Sequence, residues 1–259
     1  MDLGIQGRTA IVCASNRGLG RACAMSLAEN GVNLVINGLN AETLEDTAEA
    51  IRKAHGVQVI AVVGDVSDHA VQDALLAACP QPDILVNNNG GPPFRDFREV
   101  DREKLLEGVT QNFATPLEMI QRVIDGMAER GFGRIVNITS ASVKMPLFGL
   151  DVSSGARAGL TSFLASVARS AVDRNVTINH ILPGMFDTDR IRGGVAARAK
   201  MQGVSENEIN DAQQSGIPAK RYGQPKEFGE TCAFLCGANA GFITGQSILI
   251  DGGTFNSAF

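Results

Sequence analysis

A glycine-rich turn near the start of the chain carries residue types that can bind a phosphate group. It follows an apolar run and reads Cys13-Ala14-Ser15-Asn16-Arg17-Gly18-Leu19-Gly20. Gly18 and Gly20 would let the backbone approach a pyrophosphate closely, because glycine has no Cβ. A helix that begins here would add unpaired N–H groups and the positive end of its dipole. The turn therefore predicts a dinucleotide site, provided that a strand precedes it and a helix follows.

The elements that must position this turn are short apolar runs alternating with amphipathic stretches. Strands are predicted over 8–13, 32–37, 57–63, 83–87, 133–138, 175–181 and 247–250, and helices near 18–30, 41–55, 67–79, 101–130, 152–174 and 225–237. Nearly continuous apolar strands are typical of a sheet covered on both faces. The alternation predicts an α/β, Rossmann-type, doubly wound parallel sheet of about seven strands with helices on both faces.

The composition of the chain limits which classes of protein it can belong to. The chain has 259 residues and a net charge of −5, which fits one soluble domain over 1–259 and disfavours a nucleic-acid or anionic-membrane surface. The segment Met1–Arg8 lacks an apolar core, and no apolar run approaches the ~20 residues of a membrane span, so we expect a cytoplasmic protein. The five cysteines show no metal-ligand spacing, so we expect no metal and small buried thiols.

One stretch breaks the alternation of strands and helices. Residues 188–220 are polar and rich in glycine, and they lie between the sixth strand and the last helix. A long insertion beside the carboxyl ends of strands fits a mobile substrate lid. A surface excursion without a role is the alternative.

Further segments complete a family pattern along the whole chain. In order, they are Asp65-Val66, Asn87-Asn88-Asn89-Gly90, Asn112, Ser140, Pro183-Gly184 with Thr188, Arg221-Tyr222-Gly223-Gln224-Pro225, Ile243-Thr244-Gly245 and Asp251-Gly252-Gly253. With the glycine-rich turn, they resemble the short-chain dehydrogenase/reductase family, and within it the 3-oxoacyl-carrier-protein reductases. Ala14 stands where the family turn has its first glycine. Alanine tolerates that place only if its φ is negative, so we expect a slightly altered turn.

The resemblance implies a nicotinamide dinucleotide and a set of residues that hold it. These residues are Ala14, Ser15, Asn16, Arg17, Gly18, Leu19, Gly20, Gly38, Leu39, Asp65, Val66, Asn88, Asn89, Gly90, Arg157, Pro183, Gly184 and Thr188. NAD-preferring folds place a carboxylate after the second strand, whereas this chain has Asn37-Gly38-Leu39-Asn40. Its absence favours NADP(H), with Arg17 available for the 2′-phosphate, while NAD(H) stays possible. The alternative for Arg17 is a solvated surface charge.

The resemblance also shows where the chain departs from the family. The family uses a Ser to orient the substrate, a Tyr as proton donor, a Lys that lowers the Tyr pKa, and an Asn that holds a water. Ser140 and Asn112 match, but the Tyr and Lys positions hold Ser153 and Arg157. The only tyrosine of the chain, Tyr222, lies far along the sequence.

These replacements change the proton chemistry. A serine hydroxyl is a far weaker acid than a phenol, and an arginine stays protonated. Ser153 could instead hold a water in the place of the phenolic oxygen. Lys144 follows Ser140 by four residues, and as a partly buried lysine it could donate the proton or anchor an anionic substrate. An exposed loop lysine is the alternative. Arg190 could face a carboxylate or phosphate, or be a surface charge.

Three functions remain open on the sequence. The first is an NADP(H)-dependent oxidoreductase that interconverts a carbonyl and an alcohol of a small molecule with an altered proton relay. The second is a catalytically impaired dinucleotide-binding protein with a regulatory or assembly role. The third is a non-redox enzyme on the same fold. Family resemblance and the long apolar-faced helices over 101–130 and 152–174 predict a homotetramer.

Overall fold

Seven parallel strands form one sheet at the centre of the protein. The computed structural model describes residues 2–91 and 93–258. The strand order is β3-β2-β1-β4-β5-β6-β7, and all neighbouring pairs are parallel. The strands are β1 (Thr9–Val12), β2 (Asn33–Gly38), β3 (Val59–Val63), β4 (Ile84–Asn87), β5 (Gly133–Ile138), β6 (Val176–Pro183) and β7 (Ser247–Ile250). The predicted Rossmann-type sheet and the positions of its seven strands are confirmed.

Helices cover both faces of this sheet. They are α1 (Gly18–Glu29), α2 (Ala41–His55), α3 (His69–Ala78), α4 (Arg102–Val109), α5 (Thr115–Glu129), α6 (Asp151–Val167), α7 (Asp189–Gln202), α8 (Glu206–Gly216) and α9 (Pro225–Cys236). One buried apolar cluster joins α1, α2 and α9 to the sheet, and the other joins α3, α5 and α6 to its opposite face. Buried apolar side chains therefore hold these six helices against the sheet.

A wide helical turn interrupts the helix predicted over 101–130. The structure has α4, a π-helical turn at Thr110–Ala114, and then α5. Such turns insert one extra residue and redirect a side chain, and they occur often at functional sites. The residue redirected here is Asn112, which is buried.

The segment 188–220 contains two helices that the sequence did not predict. Gly193 and Gly194 interrupt the helical pattern of α7, because glycine lowers helix propensity. Gly203, with a φ of 68°, ends α7, and the Ser205 side chain caps α8 together with Glu208. A small cluster of buried apolar residues holds the two helices together: Val195, Ala199 and Ile209, with Ile191 packed against them.

The reversal of strand order fixes the position of a crevice. From β1 the chain builds the sheet outward to β3, and from β4 it builds outward in the other direction to β7. The loops that leave β1 and β4 therefore diverge and open a crevice beyond the carboxyl ends of these strands. The glycine-rich turn follows β1, and Asn88 follows β4.

The cysteine side chains are buried, as expected from the sequence. All five cysteines are buried and form no disulfide. Within the described part of the chain, no helix combines the length and the apolar character needed to cross a membrane.

Candidate active site

Ala14 adopts the left-handed conformation in the glycine-rich turn. Its φ is 43°, so the expectation of a negative φ was wrong. Positive φ costs an alanine about 1–2 kcal/mol, and two hydrogen bonds hold the residue there. The Ala14 amide donates to Asn37 Oδ1 at 3.2 Å, and the Ala14 carbonyl accepts from Asn88 Nδ2 at 2.9 Å. Contacts from neighbouring strand ends thus hold an alanine in a conformation that favours glycine.

Gly20 leaves no room for a side chain. A Cβ there would lie 2.4 Å from the Ala14 carbonyl oxygen and 2.7 Å from Asn88 Nδ2. Helix α1 begins at Gly18, and the residue before it, Arg17, makes no capping side-chain bond. The first N–H groups of α1 and the positive end of its dipole therefore face the crevice, which suits a pyrophosphate.

The segment after β2 contains no carboxylate. Asn37 points inward, where its Nδ2 donates to the carbonyls of Val62 and Gly64. A Cβ on Gly38 would lie 2.9 Å from the side chain of Asn16. Leu39 is 72% exposed, and Arg17 is exposed at the start of α1. This edge of the crevice therefore offers the exposed cation of Arg17, and residues 37–40 carry no anion.

Three consecutive asparagines at the end of β4, Asn87 to Asn89, connect the strand ends of the crevice. Asn87 Nδ2 donates to Asn137 Oδ1 on β5, and Asn88 donates to the glycine-rich turn. Asn89 Nδ2 donates to Ser67 Oγ at 2.9 Å and to the carbonyl of Gln111 at 3.2 Å. The side chains of the motif are thus occupied by the protein, and its backbone lines the crevice.

Ser153 and Arg157 lie on one face of α6 and contact each other. Arg157 Nε donates to Ser153 Oγ at 3.2 Å, and Arg157 Nη1 donates to the Ile138 carbonyl at the end of β5 at 2.7 Å. Both side chains are buried. The Arg157 guanidinium makes no ion pair with a carboxylate of the described residues. Burial and then the charge of Arg190 lower the pKa of Arg157 to about 10, so it remains a cation at neutral pH.

Arg157 and Asn112 line a small polar cavity. Its volume is about 20 Å³, enough for one water molecule. Asn112 Nδ2 donates to the Gly108 carbonyl, while Asn112 Oδ1 and Thr115 Oγ1, buried at the same cavity, have no partner among the described residues. A buried polar atom without a partner is costly, and an ordered water would satisfy both oxygens.

A second cavity reaches Ser153 from the side of α4. Its volume is about 250 Å³. Gly90, Gly91 and Pro93 line one side, Lys104 and Glu107 another, and Asp151 and Ser153 the end of the cavity. The neighbouring residue Pro92 lies outside the described part of the chain. Ser153 thus has space beside its hydroxyl group.

The other predicted catalytic residues lie on loops at the same end of the sheet. Ser140 follows β5, and its Oγ accepts from the Ser142 amide at 3.1 Å. Lys144 is exposed, with its ammonium 5.5 Å from the centroid of the Phe255 ring. The expectation that Lys144 is partly buried was therefore wrong, because the Ser140 loop turns its side chain outward.

The loop after β6 connects this site to α7. Gly184 permits close packing, since a Cβ there would lie 2.7 Å from Asp251. The Thr188 methyl lies 3.9 Å from the place of a Gly18 Cβ. Asp65 Oδ1 accepts from the Ser67 amide, which fixes the loop after β3, and Val66 is buried. Residues from the carboxyl ends of six strands, β1 to β6, thus surround one crevice.

Two polar residues of the site were missed from the sequence alone. Asn37 supports the glycine-rich turn, and Gln111 lines both cavities. The signal for Asn37 was a polar residue at the end of an apolar strand. Gln111 carried none, since only the π-helical turn brings it to the crevice. Tyr222 is occupied elsewhere, with its hydroxyl 3.0 Å from Asn210 Oδ1 and 2.9 Å from Gln213 Oε1 on α8.

Comparisons with known proteins agree with this geometry. Residues 13–254 match the family profile described as enoyl-(acyl carrier protein) reductase. The NADPH-dependent reductase BacG of Bacillus subtilis is 32% identical over 255 residues, covering 96% of this chain and 98% of that protein. The 3-oxoacyl-acyl-carrier-protein reductase FabG of Aquifex aeolicus is 32% identical over 260 residues, covering 98% and 100%. The structure of L-sorbose reductase from Gluconobacter frateurii, complexed with NADPH and L-sorbose, superposes with a TM-score of 0.94 at 26% identity, covering 99% and 100%.

The contact around Gly20 yields a test of the dinucleotide site. Gly20→Ala would push the new methyl into the Ala14 carbonyl, so we expect the dissociation constant for NADPH to rise at least tenfold, roughly 1.4 kcal/mol. Calorimetric titration measures it. Gly155→Ala on α6 is the matched control, because a Cβ there meets nothing within 4 Å. Unchanged affinity in a folded Gly20→Ala variant would mean that the turn does not hold the dinucleotide.

Proposed function

The chain belongs to the short-chain dehydrogenase/reductase family, and from this premise we propose that it reduces a carbonyl compound to an alcohol with NADPH through an altered proton relay. The observation that carries the proposal is the glycine-rich turn, in which Gly20 leaves room for backbone only. The named activities of BacG, FabG and L-sorbose reductase support NADPH as the cofactor and a carbonyl group as the reacting centre.

The residues that would hold NADPH follow from the crevice. The α1 N-terminus and the turn Ala14–Gly20 suit its pyrophosphate, Arg17 its 2′-phosphate, and Gly38 and Leu39 its adenosine ribose. Asp65 and Val66 would lie at the adenine. The backbone of Asn88, Asn89 and Gly90, together with Arg157, would border the nicotinamide ribose, and Pro183, Gly184 and Thr188 the nicotinamide amide. When bound, NADPH supplies a hydride from C4 of the nicotinamide.

The proton requires a different source than in relatives that carry Tyr and Lys. We assign Ser140 the task of orienting the substrate oxygen. The Ser153 hydroxyl accepts from Arg157 Nε, so its own proton is free to bind a water or a substrate hydroxyl in the adjoining cavity. Arg157 holds Ser153 and supplies positive charge near the developing alkoxide, but it keeps its proton. Asn112 Oδ1 would hold a water beside Arg157 in the smaller cavity.

We also propose one catalytic domain in a cytoplasmic homotetramer, with α7 and α8 as a substrate lid. Apolar side chains on two helices support the assembly: Leu105 and Leu106 on α4 and Phe163 on α6 are each about half exposed. Phe242 before β7 is fully exposed, and β7 is an edge strand of the sheet. These surfaces suit two-fold contacts between copies.

Arg17 should determine the preference between the two nicotinamide cofactors. Arg17→Gln removes a charge-assisted contact to the 2′-phosphate, so the dissociation constant for NADPH should rise about tenfold or more while that for NADH stays constant. Arg21→Gln, one turn further along α1, is the control. A wild-type protein that binds NADH as tightly as NADPH would contradict this role.

Restoring the family residues should restore ordinary catalysis. In the double variant Ser153→Tyr/Arg157→Lys, a phenol replaces the much less acidic serine hydroxyl, and an amine replaces the guanidinium, which keeps its proton. General acid catalysis contributes about 10²–10⁴-fold, so we expect kcat on simple ketones to rise at least tenfold. Steady-state kinetics measures it, and NADPH titration confirms that the variant is folded. No gain in a variant that binds NADPH would show that the proton is already supplied efficiently by another route.

Lys144 has two candidate roles, and its exposure favours anchoring an anionic substrate over protonation. We expect Lys144→Met to raise KM for charged substrates and to leave the single-turnover hydride-transfer rate unchanged. Lys53→Met on α2, also exposed, controls for loss of surface charge. A slower hydride transfer at unchanged affinity would instead identify Lys144 as the proton donor.

A further inference from the structure

Two phenylalanine side chains are exposed at the mouth of the larger cavity. Phe94 is 69% exposed, and Phe148 is 73% exposed. Gly149, which lines the cavity, connects them: it follows Phe148 in the chain, and a Cβ on it would lie 3.3 Å from the Phe94 ring. Gly149 has a φ of 83°, so a glycine both permits this turn and lets the Phe94 ring approach the backbone. Both residues therefore border the space that ends at Ser153.

Backbone hydrogen bonds hold the two segments that carry these rings. The Arg95 amide donates to the Gly149 carbonyl at 2.9 Å, and the Leu150 amide donates to the Leu147 carbonyl at 3.0 Å. The second bond closes a turn around Phe148. We call residues 94–95 and 147–150 the rim of the cavity. Because the rim segments are bonded to each other, their exposed side chains keep a defined position relative to the cavity.

The rings of the rim have no aromatic or cationic partner. Within residues 2–91 and 93–258, neither Phe94 nor Phe148 stacks on another aromatic ring or on a cation. Phe97, by contrast, lies 4.6 Å from the Arg98 guanidinium. Exposed apolar side chains that adjoin a cavity are typical of ligand-binding surfaces. A substrate that covers the two rings would gain affinity, because burial of aromatic surface is favourable.

The charged side chains that line the cavity act on partners within the protein. Lys104 donates to Asp101, and the pKa of Asp101 is lowered by Lys104 and then by the charge of Arg95. Glu107 Oε1 accepts from the glutamine four residues later at 3.3 Å, and Asp151 Oδ2 accepts from a rim amide at 3.1 Å. These charges are thus largely balanced by the protein, whereas the rings of the rim are not covered.

The cavity wall favours a flat group. Four glycines line it: Gly90, Gly91, Gly108 and Gly149. Backbone therefore forms much of the wall, and a peptide group, like a phenyl ring, has a planar surface. Aromatic rings also attract one another beyond the effect of burial alone. A planar aromatic group suits this combination better than a branched aliphatic or a hydroxylated group.

We propose that the carbonyl compound carries an aromatic group, which packs against Phe94 and Phe148 at the rim while its carbonyl carbon lies deeper in the cavity, toward Ser153. This inference rests on the proposed reductase function and specifies its substrate class. Phe94 and Phe148 then determine specificity, and Gly149 positions the Phe94 ring.

The test compares ketones that share the reacting group and differ at the far end. The probes are 4-phenylbutan-2-one, 4-cyclohexylbutan-2-one and 4-hydroxybutan-2-one, each reduced with NADPH. In the wild type, kcat/KM for the phenyl compound should exceed that for the cyclohexyl compound about 3- to 10-fold, because only a phenyl ring gains the aromatic contact. It should exceed that for the hydroxyl compound about 30-fold or more. Equal values for phenyl and cyclohexyl would overturn the inference.

Leucine substitutions remove the rings and keep an apolar rim. In the double variant Phe94→Leu/Phe148→Leu, the preference for phenyl over cyclohexyl should disappear, while kcat/KM for the cyclohexyl compound should change less than about twofold. Phe234→Leu on α9, where the side chain is also about half exposed, is the matched control and should keep the preference. NADPH titration shows that each variant is folded. A double variant that retains the wild-type preference would contradict the role of the two rings.

Binding separates this inference from the proposed function. Calorimetric titration of 4-phenylbutan-2-ol and 4-cyclohexylbutan-2-ol into the complex with NADP⁺ needs no turnover. If no carbonyl compound is reduced, the proposed function fails, yet tighter binding of the phenyl alcohol that Phe94→Leu/Phe148→Leu abolishes still supports the aromatic site. If other carbonyl compounds are reduced and the phenyl ketone is not, the proposed function stands and the inference is overturned.

The alternative occupant of the rim is a second copy of the chain. The double variant Phe94→Ser/Phe148→Ser tests it, because polar side chains would weaken an apolar contact between copies. We expect the molar mass from light scattering to equal that of the wild type. A lower mass in the double variant would show that the two rings form a contact between copies, and it would overturn the assignment to a substrate.

Discussion

The buried guanidinium of Arg157 fixes the positions of the groups that it contacts in the site. It connects α6 to the end of β5 through the Ile138 carbonyl, and it fixes the Ser153 hydroxyl one helical turn away. Burial lowers the pKa of Arg157 to about 10, so the guanidinium remains a cation at neutral pH. In the reaction that we propose, Arg157 keeps the positive charge of the site and does not relay the proton. The proton would then arrive through water, the substrate or another side chain, and residues of α6 line both cavities beside the site.

Ala14, in the glycine-rich turn of the cofactor crevice, is a second departure from the family pattern. Here the surrounding structure compensates for the change. Ala14 adopts a positive φ although it is not a glycine, because Asn37 and Asn88 bond its amide and carbonyl from the strands on either side of β1. Gly20 could not be replaced in the same way, since its Cβ would meet a carbonyl oxygen that the turn itself provides. A strained backbone is tolerable when bonds on both sides determine it, whereas a steric overlap requires the turn to move. The crevice thus retains its shape although the sequence motif is incomplete.

The sequence predicted the sheet well because buried parallel strands are continuous apolar runs, and each strand prediction overlaps an observed strand. Gly18, Asn88 and Ser140 follow such runs closely, and the structure places all three just beyond the carboxyl ends of strands. What the sequence missed depends on geometry beyond the local pattern. The π-helical turn at Asn112 and helix α7, which contains Gly193 and Gly194, conflict with ordinary helical propensity. The φ of Ala14 and the exposure of Lys144 depend on tertiary contacts that no local residue pattern contains.

The most direct test of the account follows the hydride. NADPH deuterated at C4 of the nicotinamide, prepared as each of its two epimers, is mixed with excess protein and a panel of carbonyl compounds in a single turnover, and the alcohols are examined by mass spectrometry. The account predicts that one epimer transfers deuterium to the former carbonyl carbon, that the transfer is slower than with unlabelled NADPH, and that the hydroxyl proton comes from solvent. Tight NADPH binding with no label in any product, across acids and neutral compounds alike, would contradict it and identify a dinucleotide-binding protein that does not reduce carbonyl compounds.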